Sequence, residues 1–248
     1  MRKFKVVKPT DQIAAIASGG GALADVAETG LDRPVPSCPG WDVAKLVLHV
    51  GLVHTWAGES VRRRTPEAVD FTKPRAPEGP SRVAWLRDAT ASLLEALATA
   101  AEDDPAGVWR DRQVTPGFWR RRMALETAVH RWDALGAVGR SERVDAPLAV
   151  DGIAEVLEVL LPYSISSHSS ERALGTLHIH CTDAEGEWLL AVTDGRLDVT
   201  LGHAKGDAAL RGEASGLFLT CWGRKPDDGP EVIGDTSVAE AWLAIFGW

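Results

Sequence analysis

The sequence predicts an α+β chain, with a helical bundle over about residues 1–170 and a small α+β domain with a mostly antiparallel sheet over 171–248. Three observations carry this. Apolar residues recur at helical spacing in the first part, as in Leu46, Val47, Val50, Val53 and Ala57. A serine-rich stretch, Ser164 to Ser170, interrupts the pattern and marks the junction. Beyond it, Leu177-His178-Ile179-His180-Cys181 alternates as a half-buried strand does, and Asp194-Gly195 is a two-residue hairpin signal.

Taken in order, Thr10 is placed to cap a first helix running to about Glu28. Gly19-Gly20-Gly21 weakens it by roughly 1 kcal/mol per glycine against alanine, which predicts a kink or a frayed turn. Leu31 to Gly40 is a loop, punctuated by Pro34, Pro36 and Pro39. Asp42 caps a second helix to about Arg63, with Leu46, Val47, Val50, Val53, Trp56 and Ala57 as its buried face. His49 projects within that face and His54 sits at its margin. Arg64 to Pro80 is a charged, proline-rich connection. Ser81 opens a third helix through Leu86, Leu93 and Leu97, and Asp103 to Gly117 is a loop.

The fourth helix spans about Phe118 to Val138. Arg120, Arg121 and Arg122 fill its first turn, where each cation is unfavourable by up to about 1 kcal/mol. They are either solvated or answer an anion. Pro147 begins a fifth helix, which Pro162 ends or bends. In the last part, strands are expected at Leu177–Cys181, Trp188–Val192, Leu197–Leu201, Ala208–Arg211 and Glu231–Ile233. One helix runs through Leu217 to Cys221 and closes near Gly223. Another is opened by a capping box of Ser237 and Glu240.

The net charge of -8 argues against non-specific binding to nucleic acid or to a membrane surface. No apolar run is long enough to span a bilayer, and the basic start has no apolar core behind it, so no signal peptide is expected. Cys38, Cys181 and Cys221 are odd in number and widely spaced, which suggests a reducing, cytoplasmic setting without a disulfide framework.

The chemistry concentrates in the fourth helix. Glu126, His130 and Asp133 share one stripe, at i, i+4 and i+7, while Leu125, Val129 and Trp132 form a separate apolar stripe. A carboxylate and an imidazole one turn apart can hold a metal, or can be a solvated helix face. His178 and His180 on one strand face offer a similar choice.

The segments Val35-Pro36-Ser37-Cys38-Pro39-Gly40-Trp41-Asp42-Val43, Leu46-Val47-Leu48-His49-Val50 and Glu126-Thr127-Ala128-Val129-His130-Arg131-Trp132-Asp133 resemble the mycothiol-dependent maleylpyruvate isomerase family. Looser similarity covers Leu210-Arg211-Gly212-Glu213-Ala214, Trp222-Gly223-Arg224 and Gly234-Asp235. The resemblance implies a DinB-like four-helix bundle, followed by an α+β domain related to sterol-carrier-protein folds. It implies a divalent metal, zinc by default, on His49, Glu126 and His130, with mycothiol as the thiol cofactor. Its substrate would be a small electrophilic acid, handled by a cis-trans isomerase or by a thiol S-transferase.

On the same resemblance, Arg224 lies near the thiol or substrate and serves catalysis or cofactor binding. A cation favoured by a helix C-terminus is the other reading of Arg224. Asp133 would either orient His130 through its second ring nitrogen or make a helix-surface contact at i, i+3 spacing. Trp41 and Trp56 either line the pocket or pack the core. Two further functions stay open: a non-catalytic module holding a small ligand in the C-terminal domain, and a metal-activated hydrolase that needs no thiol.

Overall fold

The computed structural model describes residues 7–69, 76–167 and 175–246. The basic start, the middle of the Arg64–Pro80 connection and the end of the serine-rich junction lie outside these residues. The chain forms two compact units, a bundle unit of Lys8–Glu142 and a sheet unit that begins at Arg143. The units divide at Glu142, ahead of the fifth helix. The helix expected at Pro147 therefore belongs with the sheet.

The bundle unit holds α1 (Pro9–Glu28), α2 (Val43–Arg63), α3 (Ser81–Thr99) and α4 (Pro116–Ala137). α1 packs mainly on α4, and α2 mainly on α3. Leu23, Val26, Val43, Leu46, Val47, Val50, Leu86 and Leu135 are among the buried residues of one core cluster. Asp42 caps α2, its carboxylate accepting from the Lys45 N–H at 2.7 Å.

The three glycines do not kink α1, which runs unbroken from Pro9 to Glu28. Two of them let neighbouring helices come close. A Cβ on Gly19 would lie 2.6 Å from Cγ2 of Thr127 on α4, and one on Gly20 would lie 2.7 Å from Cγ2 of Thr90 on α3. Tertiary packing here outweighs the helix-propensity cost.

α4 begins two residues earlier than expected. Pro116 occupies its first turn, where a missing N–H costs nothing, and the Thr115 side chain accepts from Phe118 N–H. The preceding loop contains a small antiparallel pair, β1 (Val108–Trp109) and β2 (Arg112–Gln113).

The sheet unit opens with α5 (Ala146–Glu155), a π-helical turn (Val156–Leu160) and α6 (Leu161–Ser167). Pro162 does not end the helical run but stands in the first turn of α6. The chain widens before it, with the Leu161 N–H reaching back to the Val156 carbonyl. Strands β3 (Leu177–Cys181), β4 (Glu187–Thr193), β5 (Arg196–Leu201), β6 (Ala208–Gly212) and β7 (Glu231–Gly234) form one sheet in the order β5-β4-β3-β6-β7. Only the β3–β6 pair is parallel. Asp194 and Gly195, both at positive φ, make the β4–β5 hairpin.

α7 (Ala214–Cys221) and α8 (Thr236–Leu243) pack against β3 and β6. α8 is capped by Asp235 rather than by the expected Ser237, whose N–H donates to the Asp235 carboxylate at 2.9 Å. Among the described residues, no helix is long and apolar enough to cross a membrane.

Candidate metal centre in the bundle unit

α2 and α4 bring one imidazole and one Glu–His pair to a single point. His49 Nε2 lies 2.9 Å from Glu126 Oε1, and His130 Nε2 lies 3.1 Å from the same oxygen. The two imidazole rings are 4.8 Å apart, centroid to centroid. All three donor atoms fall within 4.8 Å of one another. On α4 this follows from the helical period, since residues four apart stack on one face. On α2 it follows from the burial of Leu46, Val47 and Val50, which turns His49 toward α4.

Two of the three donor atoms, those of Glu126 and His130, are selected by a partner behind them. The other oxygen of Glu126, Oε2, is held by the Arg122 guanidinium one turn earlier. That leaves Oε1 facing the histidines. His130 Nδ1 meets Asp133 Oδ2 at 2.9 Å, so Nε2 is the nitrogen left to face inward. Asp133 is fully buried and is itself fixed by Ser37 Oγ, which donates to its Oδ1 at 2.6 Å, and by Cys38 Sγ, 3.5 Å from Oδ2.

The electrostatics follow the same contacts. Burial alone would raise the Glu126 carboxyl. The Arg122 charge and hydrogen bonds from His130 and His49 outweigh it and hold that carboxyl well below the usual range. Burial likewise opposes charge on His130, but Asp133 and Glu126 raise its pKa above the ordinary histidine value.

Trp41 covers the cluster. Its ring stacks near-parallel to His130 at 6.5 Å and meets His49 edge-on at 5.4 Å. Trp56 instead packs edge-on against Trp119 at 5.0 Å. The His49 side chain keeps 36% of its surface exposed, so the cluster is reachable from solvent.

Two expectations about nearby residues change. His54 does not sit at the margin of α2 but is fully buried. Its Nδ1 is 3.0 Å from Thr90 Oγ1 and its Nε2 is 2.9 Å from Thr127 Oγ1. Thr90 already donates to the Leu86 carbonyl, so its oxygen accepts from Nδ1–H, and Nε2 accepts from Thr127. Desolvation pushes the His54 pKa down to about 4. The arginines of α4 are not all solvated either. Arg122 answers Glu126, and Arg120 binds Glu102 through both terminal nitrogens and Gln12 through Nε.

The structure thus gathers His49, Glu126, His130, Asp133 and Trp41. Arg224 belongs to the sheet unit, just past α7, where its guanidinium donates to the Trp222 carbonyl at 2.8 Å. Sequence reasoning missed Arg122, Ser37 and Cys38. The i–4 spacing of Arg122 to Glu126 was a readable signal. Nothing local tied Ser37 and Cys38 to a carboxylate on α4.

Two family profiles match the chain. Residues 14–135 match the one described as the mycothiol maleylpyruvate isomerase N-terminal domain. Residues 147–241 match the corresponding C-terminal domain. No curated protein matches. Two solved structures share the fold. One is the crystal structure of a histidine-to-alanine mutant of the mycothiol-dependent maleylpyruvate isomerase, at TM-score 0.66 and 12% identity, covering 94% of this chain and 95% of that one. The other is the crystal structure of the mycothiol-dependent maleylpyruvate isomerase, at TM-score 0.61 and 16% identity, with the same coverage of each chain. With both of its units matched in order by the family's two domains, the chain belongs to the mycothiol maleylpyruvate isomerase family.

Proposed function

We propose that the chain is a metal-dependent enzyme that uses mycothiol on a small electrophilic acid, as a maleylpyruvate-type cis-trans isomerase or a thiol S-transferase. The observation that carries this is the convergence of His49, Glu126 and His130 on one point, with the donor atoms of Glu126 and His130 selected by Arg122 and Asp133. Two imidazole nitrogens and one carboxylate oxygen form a set suited to zinc, and three protein donors leave a coordination position open. When bound, the metal and mycothiol together would supply a thiolate nucleophile at neutral pH.

The remaining work falls to the chain's own side chains. Asp133 holds the His130 proton on Nδ1 and fixes the ring's orientation. Arg122 keeps Glu126 ionised and orients its Oε1. Trp41 packs against both histidine rings and offers a flat apolar wall to the thiol. Arg224 would provide a cation for the carboxylate of the substrate, or hydrogen-bond donors for the thiol. The protein acts in the cytoplasm, where a reduced thiol pool is available.

The test joins metal content to thiol dependence. Purified protein should carry near-stoichiometric metal on His49, Glu126 and His130, and turnover of a cis-enedioyl acid should require added mycothiol. His49→Ala and His130→Ala should each lose the bundle metal and at least about 100-fold in rate, more than the 10–100-fold typical of residues behind the ligands. Full activity in metal-free protein would overturn the reading. Turnover without thiol would turn it into metal-activated hydrolysis.

A further inference from the structure

The sheet unit contains a second group of donors. Along β3, Leu177, Ile179 and Cys181 point to one face and are buried. His178 and His180 point to the other. Glu187, the first residue of β4, stands directly opposite His180 in the antiparallel pair. The chain leaving β5 is tied to the same place, because the Gly202 N–H donates to the Glu187 carbonyl at 3.0 Å. Gly202 then turns at φ +108, a conformation suited to glycine, and delivers His203 to the cluster.

One carboxylate meets all three rings. Glu187 Oε1 is 3.0 Å from His180 Nδ1, and Oε2 is 3.1 Å from His203 Nδ1. His178 Nε2 is 3.7 Å from Oε2, too far for a hydrogen bond. The three ring centroids lie 5.5 to 6.3 Å apart. One ligand atom from each of the four residues falls within 4.8 Å of the others.

His178 shows that hydrogen bonding alone does not account for this arrangement. The residue is only 6% exposed, and its Nε2 is buried without a hydrogen-bond partner. Leaving such a group unsatisfied costs about 1–3 kcal/mol. A cation among the four donors would satisfy it and relieve the crowding of three imidazoles around one carboxylate. Beside them, Arg211 on β6 is opposite His180 and lies 4.0 Å from Glu231, which draws its charge the other way.

We infer that His178, His180, Glu187 and His203 form a second divalent-metal site, distinct from the one in the bundle unit. Three imidazole nitrogens and a carboxylate oxygen suit zinc, and also cobalt, nickel or copper. Zinc with four protein ligands is a closed, structural arrangement. Donors in a zinc tetrahedron sit about 3.3 Å apart, as zinc–ligand lengths near 2 Å require, so the cluster needs only a modest contraction. The site would pin β3, β4 and the segment after β5 together at one end of the sheet.

The test uses the full chain, stripped by chelation and titrated with cobalt(II), whose visible absorption reports imidazole-rich tetrahedral sites, and with zinc by calorimetry. His49→Ala/His130→Ala protein removes the bundle donors. It is expected to keep one equivalent of bound metal. Adding His180→Ala and His203→Ala should weaken that binding at least about tenfold and abolish the absorption.

Should the quadruple variant fail to fold, His203→Ala and Glu187→Gln in otherwise unchanged protein give the same reading. Each should lower the metal stoichiometry by one equivalent, whether or not the bundle site binds. The inference is overturned if folded His49→Ala/His130→Ala protein binds no metal at 100-micromolar levels (about 5.5 kcal/mol by the affinity scale). Metal content unchanged by the His203→Ala and Glu187→Gln substitutions overturns it equally.

Discussion

The two histidine clusters use the same chemistry in opposite ways. In the bundle, three donors meet, and Arg122, Asp133 and Ser37 stand behind them to choose which atom faces inward. In the sheet, three imidazoles meet around Glu187, and His203 reaches in with 82% of its side chain exposed. The first cluster has fewer donors in a more rigid setting. The second has enough donors to close a coordination sphere. The contrast teaches that donor count decides whether a site is open for chemistry, while the groups behind the donors decide how precisely it is set.

The sharpest way to break that contrast is to remove the bundle carboxylate. Glu126→Gln takes the carboxylate charge away from the buried Arg122 guanidinium. Removing one partner of a buried ion pair typically costs about 3–5 kcal/mol. Urea unfolding of the metal-free protein should show a loss of that size. The equivalent Glu187→Gln in the sheet should cost far less, because Glu187 is partly exposed and water can solvate what it leaves. Equal losses would mean that the two clusters are backed alike.

A second difference lies beside the bundle cluster rather than in it. His54 is held neutral between Thr90 and Thr127, with its pKa pushed down from an ordinary 6.5 to about 4 by burial. Between these values the unfolded chain binds the proton and the folded chain does not. Stability therefore rises with pH across that window. It is fully present above about pH 6.5 and falls progressively toward pH 4, by about 3 kcal/mol for a shift of this size. Unfolding free energies of metal-free wild type and His54→Gln, compared from pH 7 to pH 4, isolate the effect. A wild type no steeper than His54→Gln would show that the ring is not buried neutral.

These outcomes bear on what the sequence discloses. The Glu126–His130 pair was readable because helical spacing is local, and any α-helix places i and i+4 together. His49 became readable only beside the motif around it. His54 was misplaced because its burial depends on how tightly α1 approaches α3 and α4. That approach is set by Gly19 and Gly20, whose sequence reads as a weak point in a helix. The strands and the Asp194-Gly195 hairpin followed from alternation and turn chemistry. The sheet cluster did not, since Glu187 and His203 join His178 and His180 only through the registers of β3 with β4 and β4 with β5. Registers are non-local, and no spacing along the chain encodes them. The division between the units was hidden for a similar reason. α5 reads as one more bundle helix, and only Gly152 lying under Phe218 shows that it packs on α7.

A smaller effect sharpens the role assigned to the groups behind the donors. Asp133→Asn keeps the shape but removes the charge that holds His130 in one tautomer. Substitutions of this kind cost about 10–100-fold in metal affinity or activity. Metal titration should show a loss in that range, with little change in fold because Ser37 can still donate to the amide oxygen. No change in affinity would mean that His130 is oriented by packing against Trp41 alone.

The smallest effect is expected at His203, and it separates structure from binding within the sheet unit. The side chain is largely exposed, and its Nδ1 lies 3.1 Å from Glu187 Oε2. In metal-free protein, His203→Ala should change stability by no more than about 0.5 kcal/mol, the usual range for surface substitutions. With metal present, the same change should cost the stabilisation that bound metal confers, about 2.7 kcal/mol at a hundredfold excess over its dissociation constant. The two unfolding curves together therefore test the cluster twice. A large metal-free loss would make His203 part of the sheet's own packing. A loss confined to the metal-loaded protein would make it a ligand, held in place by the turn at Gly202.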